Sequence, residues 1–315
     1  MGMQHGMSDH DHAHAHQHGH AHSHAPADFG RAFALGISLN LAFVAVETAY
    51  GFLANSMALL ADAGHNLSDV LGLAIAWGAY GLSRRKPSAR FTYGLRGSSI
   101  LAALFNAIFL LIAVGAIGLG AIQRLGEPQP VQGMTMIMVA AAGIAVNGFT
   151  ALLFARGRKG DLNLRGAYLH MIADAGVSAG VVVAGLVIGQ TGWHWIDPAV
   201  SLLIVAVIVA GAWGLLRESV ALSLAGVPPG IDTARVEALL RALPGVERVH
   251  DLHIWAMSTT ETALTAHLVM PGGHPGDAFL HHAAHELDHG FGISHATIQI
   301  ETDGAVCVLE PAERV

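Results

Sequence analysis

The chain has 315 residues, 53% of them hydrophobic and 12% charged, about half the charged share of an ordinary soluble domain. A formal charge of −7 leaves no basic surface of the kind nucleic acid requires. A single cysteine, Cys307, excludes a disulfide framework and a Cys-based zinc ribbon.

Length alone allows about two domains, and the apolar runs lie almost entirely between Phe33 and Leu216. The chain opens on histidine rather than on a basic stretch followed by an apolar one, so no cleavable signal peptide is expected. Residues 1–28 hold nine of the 21 histidines, eight of them at alternate positions from His10 to His24. The tract has no apolar periodicity and is expected to be disordered. Neutral imidazoles at this density bind transition metals loosely.

Six apolar segments follow, at 32–53, 57–82, 98–122, 132–155, 164–189 and 195–216. Each is near the ~20 residues that span ~30 Å of hydrocarbon. Ala54–Ser56 leaves room only for a tight helical hairpin between the first two. The link after the second segment carries Arg84, Arg85, Lys86, Arg90 and Arg96, and the link after the fourth carries Arg156, Arg158, Lys159 and Arg165. On the opposite side only Arg124 is basic, so the positive-inside rule places the basic links and both termini in the cytoplasm.

From residue 217 the composition turns soluble. Asp232–Leu243 reads as a capped helix stopped by Pro244-Gly245. Val246–Met257 and Glu261–Met270 read as strands, Pro275–His289 as a helix and His295–Glu301 as a last strand. The expected fold class is therefore an α-helical membrane protein with six transmembrane helices (29–216), followed by a cytoplasmic α+β ferredoxin-like domain (217–303) and a tail (304–315).

Ionisable groups are costly at membrane depth, so an apolar span that keeps them uses them. The second segment contains ADAGHNLSD (Ala61–Asp69) and the fifth contains LHMIAD (Leu169–Asp174). Each offers a His and an Asp four residues apart, on one helix face. At ~1.5 Å rise per residue, Asp69 lies about 18 Å from the outer end of its segment and Asp174 about 15 Å from the cytoplasmic end of its own. All four groups fall at a common middle depth. Two imidazoles and two carboxylates suit tetrahedral Zn²⁺ and neutralise it. Without metal the adjacent carboxylates repel each other in a poor dielectric, which makes protons the natural substitute. Asp62 lies two turns outward of Asp69, lining an outer vestibule or packing. Asn40 and Glu47 share a face of the first segment, lining the pathway or bonding to neighbours. The Gly-rich runs 115–120 and 176–185 mark close helix packing.

These motifs, with Glu47–Gly51 (ExxxG), Trp195–Pro198 (WIDP) and His250–Met257 (HDLHIWAM), resemble the cation diffusion facilitators over residues 31–302, and most closely their zinc-transporting branch. The resemblance implies a homodimeric divalent-cation/proton antiporter of the inner membrane that exports metal, with Zn²⁺ the leading substrate, by alternating access. On it, His65, Asp69, His170 and Asp174 match the transport site. A second zinc site that some members hold in the link after the second helix looks absent, since Phe91 and Leu95 stand where its histidines would fall, and the acidic residue common after that link is replaced near Ser98 or Ser99. In the cytoplasmic domain His250, His267 and Glu301 match a metal site, with His295 as a fourth ligand and Gln299 where some relatives have histidine. The competing reading of His250 and His267 is as partly exposed strand residues, with metal the favoured one, and His253 is displaced three residues from His250 and less suited to share its ion. His281, His285 and His289 share a helix face, either solvated or a weak metal patch.

Two other functional classes compete. An intramembrane metalloprotease needs a water-activating acid beside its ligands, as in HExxH, and an open coordination position; neither is here, so no enzyme is expected. A metal sensor or storage protein would bind zinc without moving it, but has no need of ligands at the bilayer midplane.

Overall fold

The structure is a computed structural model that describes residues 28–83, 85–155, 162–302 and 307. Most of the histidine tract (1–27), Arg84, residues 156–161 of the second basic link and nearly all of the tail lie outside the described residues. Six long helices come first: α1 (Asp28–Leu53), α2 (Met57–Ser83), α3 (Ser98–Gly126), α4 (Gly133–Ala155), α5 (Leu162–Thr191) and α6 (Ile196–Ser223). Four of them, α3 to α6, are long and apolar enough to cross a membrane, and α1 contributes a shorter apolar stretch, Ile37–Leu53. The ionisable and amide groups on α2 lower its hydropathy, which keeps it from the same group.

Helices outrun the apolar segments that announce them. α6 continues to Ser223, past Arg217 and Glu218, because charge ends a hydrophobic span without ending a hydrogen-bonded helix. Large apolar side chains such as Phe52, Ile112, Leu152 and Leu203 stand two-thirds exposed on the outside of the bundle, as lipid-facing groups do. Its interior is packed by Phe43, Leu59, Val114, Met136, Val181 and Ile204.

The hairpin between α1 and α2 turns through Asn55 at φ +55°, a left-handed conformation that Asn tolerates better than most residues. Arg124 Nη1 holds that turn by donating to the Asn55 carbonyl at 2.7 Å.

Glycines divide by role. A Cβ on Gly185 of α5 would sit 2.8 Å from Ile137 Cγ1 and 3.0 Å from the Gly133 carbonyl of α4, whereas one on Gly180 would meet nothing within 4 Å. Gly185→Ala is therefore expected to cost about 1–3 kcal/mol through overpacking, while Gly180→Ala is neutral or slightly stabilising. Thermal melting of the detergent-solubilised pair checks this, and equal melting temperatures would refute the close α4–α5 approach.

The C-terminal domain has the order α7 (Thr233–Arg241), β1 (Arg248–Ala256), β2 (Thr262–Val269), α8 (Asp277–Phe291) and β3 (His295–Glu301). Asp232 caps α7, its carboxylate accepting from Ala234 N at 3.0 Å and Arg235 N at 3.4 Å. The sheet runs β1-β2-β3, with β1 antiparallel and β3 parallel to the central β2. Val236, Leu240, Leu264, Leu268, Ala283 and Leu287 form its core between sheet and helices. This is the expected α+β layer on a membrane helix bundle.

The two parts touch through the α2–α3 link. Arg96 pairs with Glu261, Thr259 N donates to Ser99 Oγ at 3.1 Å, and Tyr93 packs edge-on against His295 at 5.5 Å.

Candidate metal sites

α2 and α5 run in opposite directions, so side chains one turn apart on each meet as rungs. Asp62 Oδ2 accepts from Ser178 Oγ at 3.0 Å. One turn on, His65 Nε2 lies 3.6 Å from Asp174 Oδ1. One more turn on, His170 Nε2 lies 3.0 Å from Asp69 Oδ2. Within each helix the i, i+4 pairs lie 3.7 Å apart for His65–Asp69 and 3.6 Å for His170–Asp174.

In a tetrahedral zinc site with ligand bonds of about 2.0–2.1 Å, neighbouring ligand atoms are about 3.3 Å apart. The four His–carboxylate separations, 3.0 to 3.7 Å, bracket that edge. His65, His170 and Asp174 each offer a ligand atom within 4.8 Å of the others. Asp174 Oδ2 is buried without a hydrogen-bond partner, which is unusual for a carboxylate unless a ligand is meant to meet it.

Access to the four is graded. The Asp174 side chain is 3% exposed, while Asp69 and His170 are 32% and 40% exposed. Beyond Asp174, on the side away from the C-terminal domain, Asp62, Ser178 and Glu47 are fully buried, with Glu47 Oε2 accepting from Asn66 at 3.3 Å. Asp62 thus sits in packed interior, not on an open vestibule. Asn40 likewise turns to a neighbour, Met171 Sδ at 3.6 Å. On the opposite side a cavity of about 850 Å³ reaches from Gly72, one turn past Asp69, to Asn106, Arg96 and Glu261.

The sequence reading overlooked what holds α2 in this register. Asp197, at the start of α6, is fully buried. It accepts hydrogen bonds from Ser56 Oγ at 2.5 Å and from the backbone N–H groups of Met57 at 2.7 Å and Ala58 at 3.2 Å. An acid from one helix caps the N-terminus of another, where N–H groups have no intrahelical partner.

A second cluster forms on the C-terminal sheet, where β1 and β2 pair His250 opposite His267. Glu301, at the end of β3, takes His250 Nε2 on one oxygen at 3.0 Å and His267 Nδ1 on the other at 2.9 Å. Burial opposes the charge on Glu301, but hydrogen bonds from His250, Cys307 and His267 outweigh it and hold the carboxyl below its ordinary range. His295 does not join them. It begins the strand that Glu301 ends, about 20 Å away at ~3.3 Å per residue, and packs on Tyr93 instead. Cys307 takes its place, with Sγ 3.7 Å from His267 Nδ1. His250, His267, Glu301 and Cys307 each offer a ligand atom within 4.8 Å of the others.

His253 bonds Asp251 at 2.8 Å and is not in the group of ligand atoms that the cluster brings together. His281, His285 and His289 are exposed on α8, the last two with rings 4.3 Å apart. Among the described residues the α2–α3 link holds no group of three or more potential ligands, and Phe91 there is half exposed.

Comparison with known proteins decides the family. The cation efflux transmembrane domain matches residues 33–222, and the cation efflux protein cytoplasmic domain matches residues 228–303. The chain belongs to the cation efflux family. It is 38% identical over 271 residues to the zinc transporter ZitB of Escherichia coli, covering 85% of this chain and 86% of that one. It is 36% identical over 272 residues to the metal cation efflux system protein CzcD of Cupriavidus metallidurans, covering 86% of each. The cadmium, cobalt and zinc/H(+)-K(+) antiporter of Bacillus subtilis is 34% identical over 266 residues, covering 83% of this chain and 85% of that one. A solved structure of the metal-bound C-terminal domain of CzcD is 40% identical, covering 22% of this chain and 99% of its own, with a TM-score of 0.22. This cation efflux protein is an integral membrane transporter of divalent metals, not an enzyme.

Proposed function

We propose that this protein exports Zn²⁺ from the cytoplasm in exchange for protons, with His65, Asp69, His170 and Asp174 as the transport ligands. The observation that supports this reading is the α2–α5 ladder, in which each of the two imidazoles lies 3.0 to 3.7 Å from both carboxylates inside a helix bundle, although only His65, His170 and Asp174 form a group whose ligand atoms all lie within 4.8 Å. Two carboxylates cancel the charge of the ion, so the loaded site is formally neutral in a poor dielectric. When Zn²⁺ leaves, protons on the same imidazoles and carboxylates replace it, and the exchange couples metal movement to proton movement.

Residues 29–216 form the transport domain and 217–303 the cytoplasmic one, with both termini on the cytoplasmic side, where the basic links place them. On that orientation the sealed side of the site, at Asp62 and Glu47, faces outward, and the cavity beside Arg96 opens inward. The conformation is one that accepts metal from the cytoplasm. A homodimer joined through the cytoplasmic domain, with His250, His267 and Glu301 binding a regulatory Zn²⁺, completes the proposal. The names of the relatives, which include zinc, cadmium and cobalt, set the ions against which zinc is to be compared.

Proteoliposomes with a pH-sensitive dye inside test it. Zinc uptake is expected to accelerate several-fold with an acidic lumen, and to make the lumen more alkaline as it proceeds. Uptake that neither responds to the gradient nor changes the internal pH would remove the proton from the mechanism.

A further inference from the structure

The geometry points to Cys307 as the fourth ligand of the cytoplasmic-domain metal site, giving a His250–His267–Glu301–Cys307 donor set oriented by Asp251. This rests on the reading that the first three bind metal, and deepens it.

With metal–nitrogen bonds near 2.0 Å and a metal–thiolate bond near 2.3 Å, a tetrahedral N–S edge is about 3.5 Å. The Cys307 Sγ to His267 Nδ1 separation is 3.7 Å. Glu301 bridges the two imidazoles at 3.0 and 2.9 Å, and Cys307 offers its sulfur within 4.8 Å of the Glu301 carboxylate. The donors are well enclosed, with side-chain exposures of 7% for His250, 10% for His267 and 13% for Glu301.

The support around the ligands carries the argument further. His267 turns Nδ1 to the cluster and Nε2 to Asp251 Oδ2, 3.4 Å away. A carboxylate on the far nitrogen of an imidazole fixes its tautomer and ring direction, as behind metal-bound histidines. Asp251 reaches this place at a cost. It stands at φ +48°, where the β1–β2 register shifts between His250 and His253. A strand residue in the left-handed region is strained. Here the bulge turns the carboxylate in toward His267.

A thiolate in place of a third imidazole or second carboxylate favours softer ions, Zn²⁺ and Cd²⁺ over Mn²⁺ or Mg²⁺. Binding releases the thiol proton to solvent.

Because Cys307 is the single cysteine, cobalt substitution of the full-length protein isolates it: the proposed membrane site contains no sulfur. Co²⁺-loaded protein is expected to show a sulfur-to-cobalt charge-transfer band in the near ultraviolet, lost in Cys307→Ser and in His250→Ala. Its half-saturation should also shift to about tenfold higher Co²⁺ in Asp251→Asn. In the unmutated protein, Zn²⁺ is expected to slow maleimide modification of Cys307 at least tenfold. A wild-type protein with no such band and no protection overturns the thiolate assignment, even where His250→Ala lowers the Co²⁺ stoichiometry. A stoichiometry unchanged by His250→Ala and His267→Ala overturns the underlying site itself. A band that survives both substitutions shows Cys307 binding elsewhere, and also overturns the assignment.

Discussion

Replacing Asp174 by asparagine is expected to lower zinc affinity at the membrane site by about 100-fold or more, roughly 2.7 kcal/mol, and to abolish measurable flux. Asparagine keeps the shape of the side chain, so no packing defect accounts for the loss. What changes is charge. With two aspartates a bound Zn²⁺ is neutralised; with one, the loaded site keeps a net positive charge. Asp174 is the group whose charge water is least able to replace, since its side chain is 3% exposed and touches both histidines at 3.6 Å. An uncompensated charge at such a position costs several kcal/mol.

Asp69→Asn removes the same formal charge from a side chain that is 32% exposed, where water screens part of the difference. Its loss is expected to be about tenfold smaller. The ranking is sharper than either value alone. Competition against a chromophoric chelator gives the affinities, and proteoliposome uptake gives the flux. An Asp174→Asn protein that transports within threefold of wild type would remove Asp174 from the ligand set.

The membrane part was legible because its signals are periodic. Six apolar stretches of spanning length have few other uses, and a His and an Asp four apart share a helix face wherever the helix sits. Depth, from a fixed rise per residue, put all four groups at one level, but which histidine faces which aspartate across the helices needed the structure. What escaped the sequence depends on features with no period. Asp251 matters because a strand bulges beneath it, and an aspartate at positive φ is invisible in a row of letters. Cys307 follows the last strand in a stretch that reads as tail, and only the fold brings it back beside His267. His295 was expected as a fourth ligand on the family resemblance, yet it begins the strand that Glu301 ends, and that strand's length holds them apart. Asp197 stood in view within WIDP, but a helix capped by an acid 140 residues distant leaves no local trace.

Asp197→Ala is expected to be the most destabilising single change in the membrane domain outside its apolar core. The carboxylate takes three hydrogen bonds, two of them from backbone N–H groups at the start of α2. Alanine leaves those donors buried beside Ala58 and Leu59, which are fully enclosed, at about 1–3 kcal/mol for each unsatisfied group. A total near 3 kcal/mol is the expectation, with Asp197→Asn intermediate because one oxygen remains to accept. The functional loss should exceed the loss of folded protein. Ser56 and Asp197 fix where α2 begins, and α2 carries His65 and Asp69 at a set rotation. A slip of one residue turns a helix by about 100° and shifts it by about 1.5 Å, enough to swing both ligands off the face that meets α5. Thermal melting in detergent reads the first effect, and zinc affinity of the protein still folded reads the second. Saturating Zn²⁺ should recover part of the lost stability, because ligand bound only by the correct register favours it by mass action. A variant that melts and binds as wild type would show that α2 finds its register without the cap.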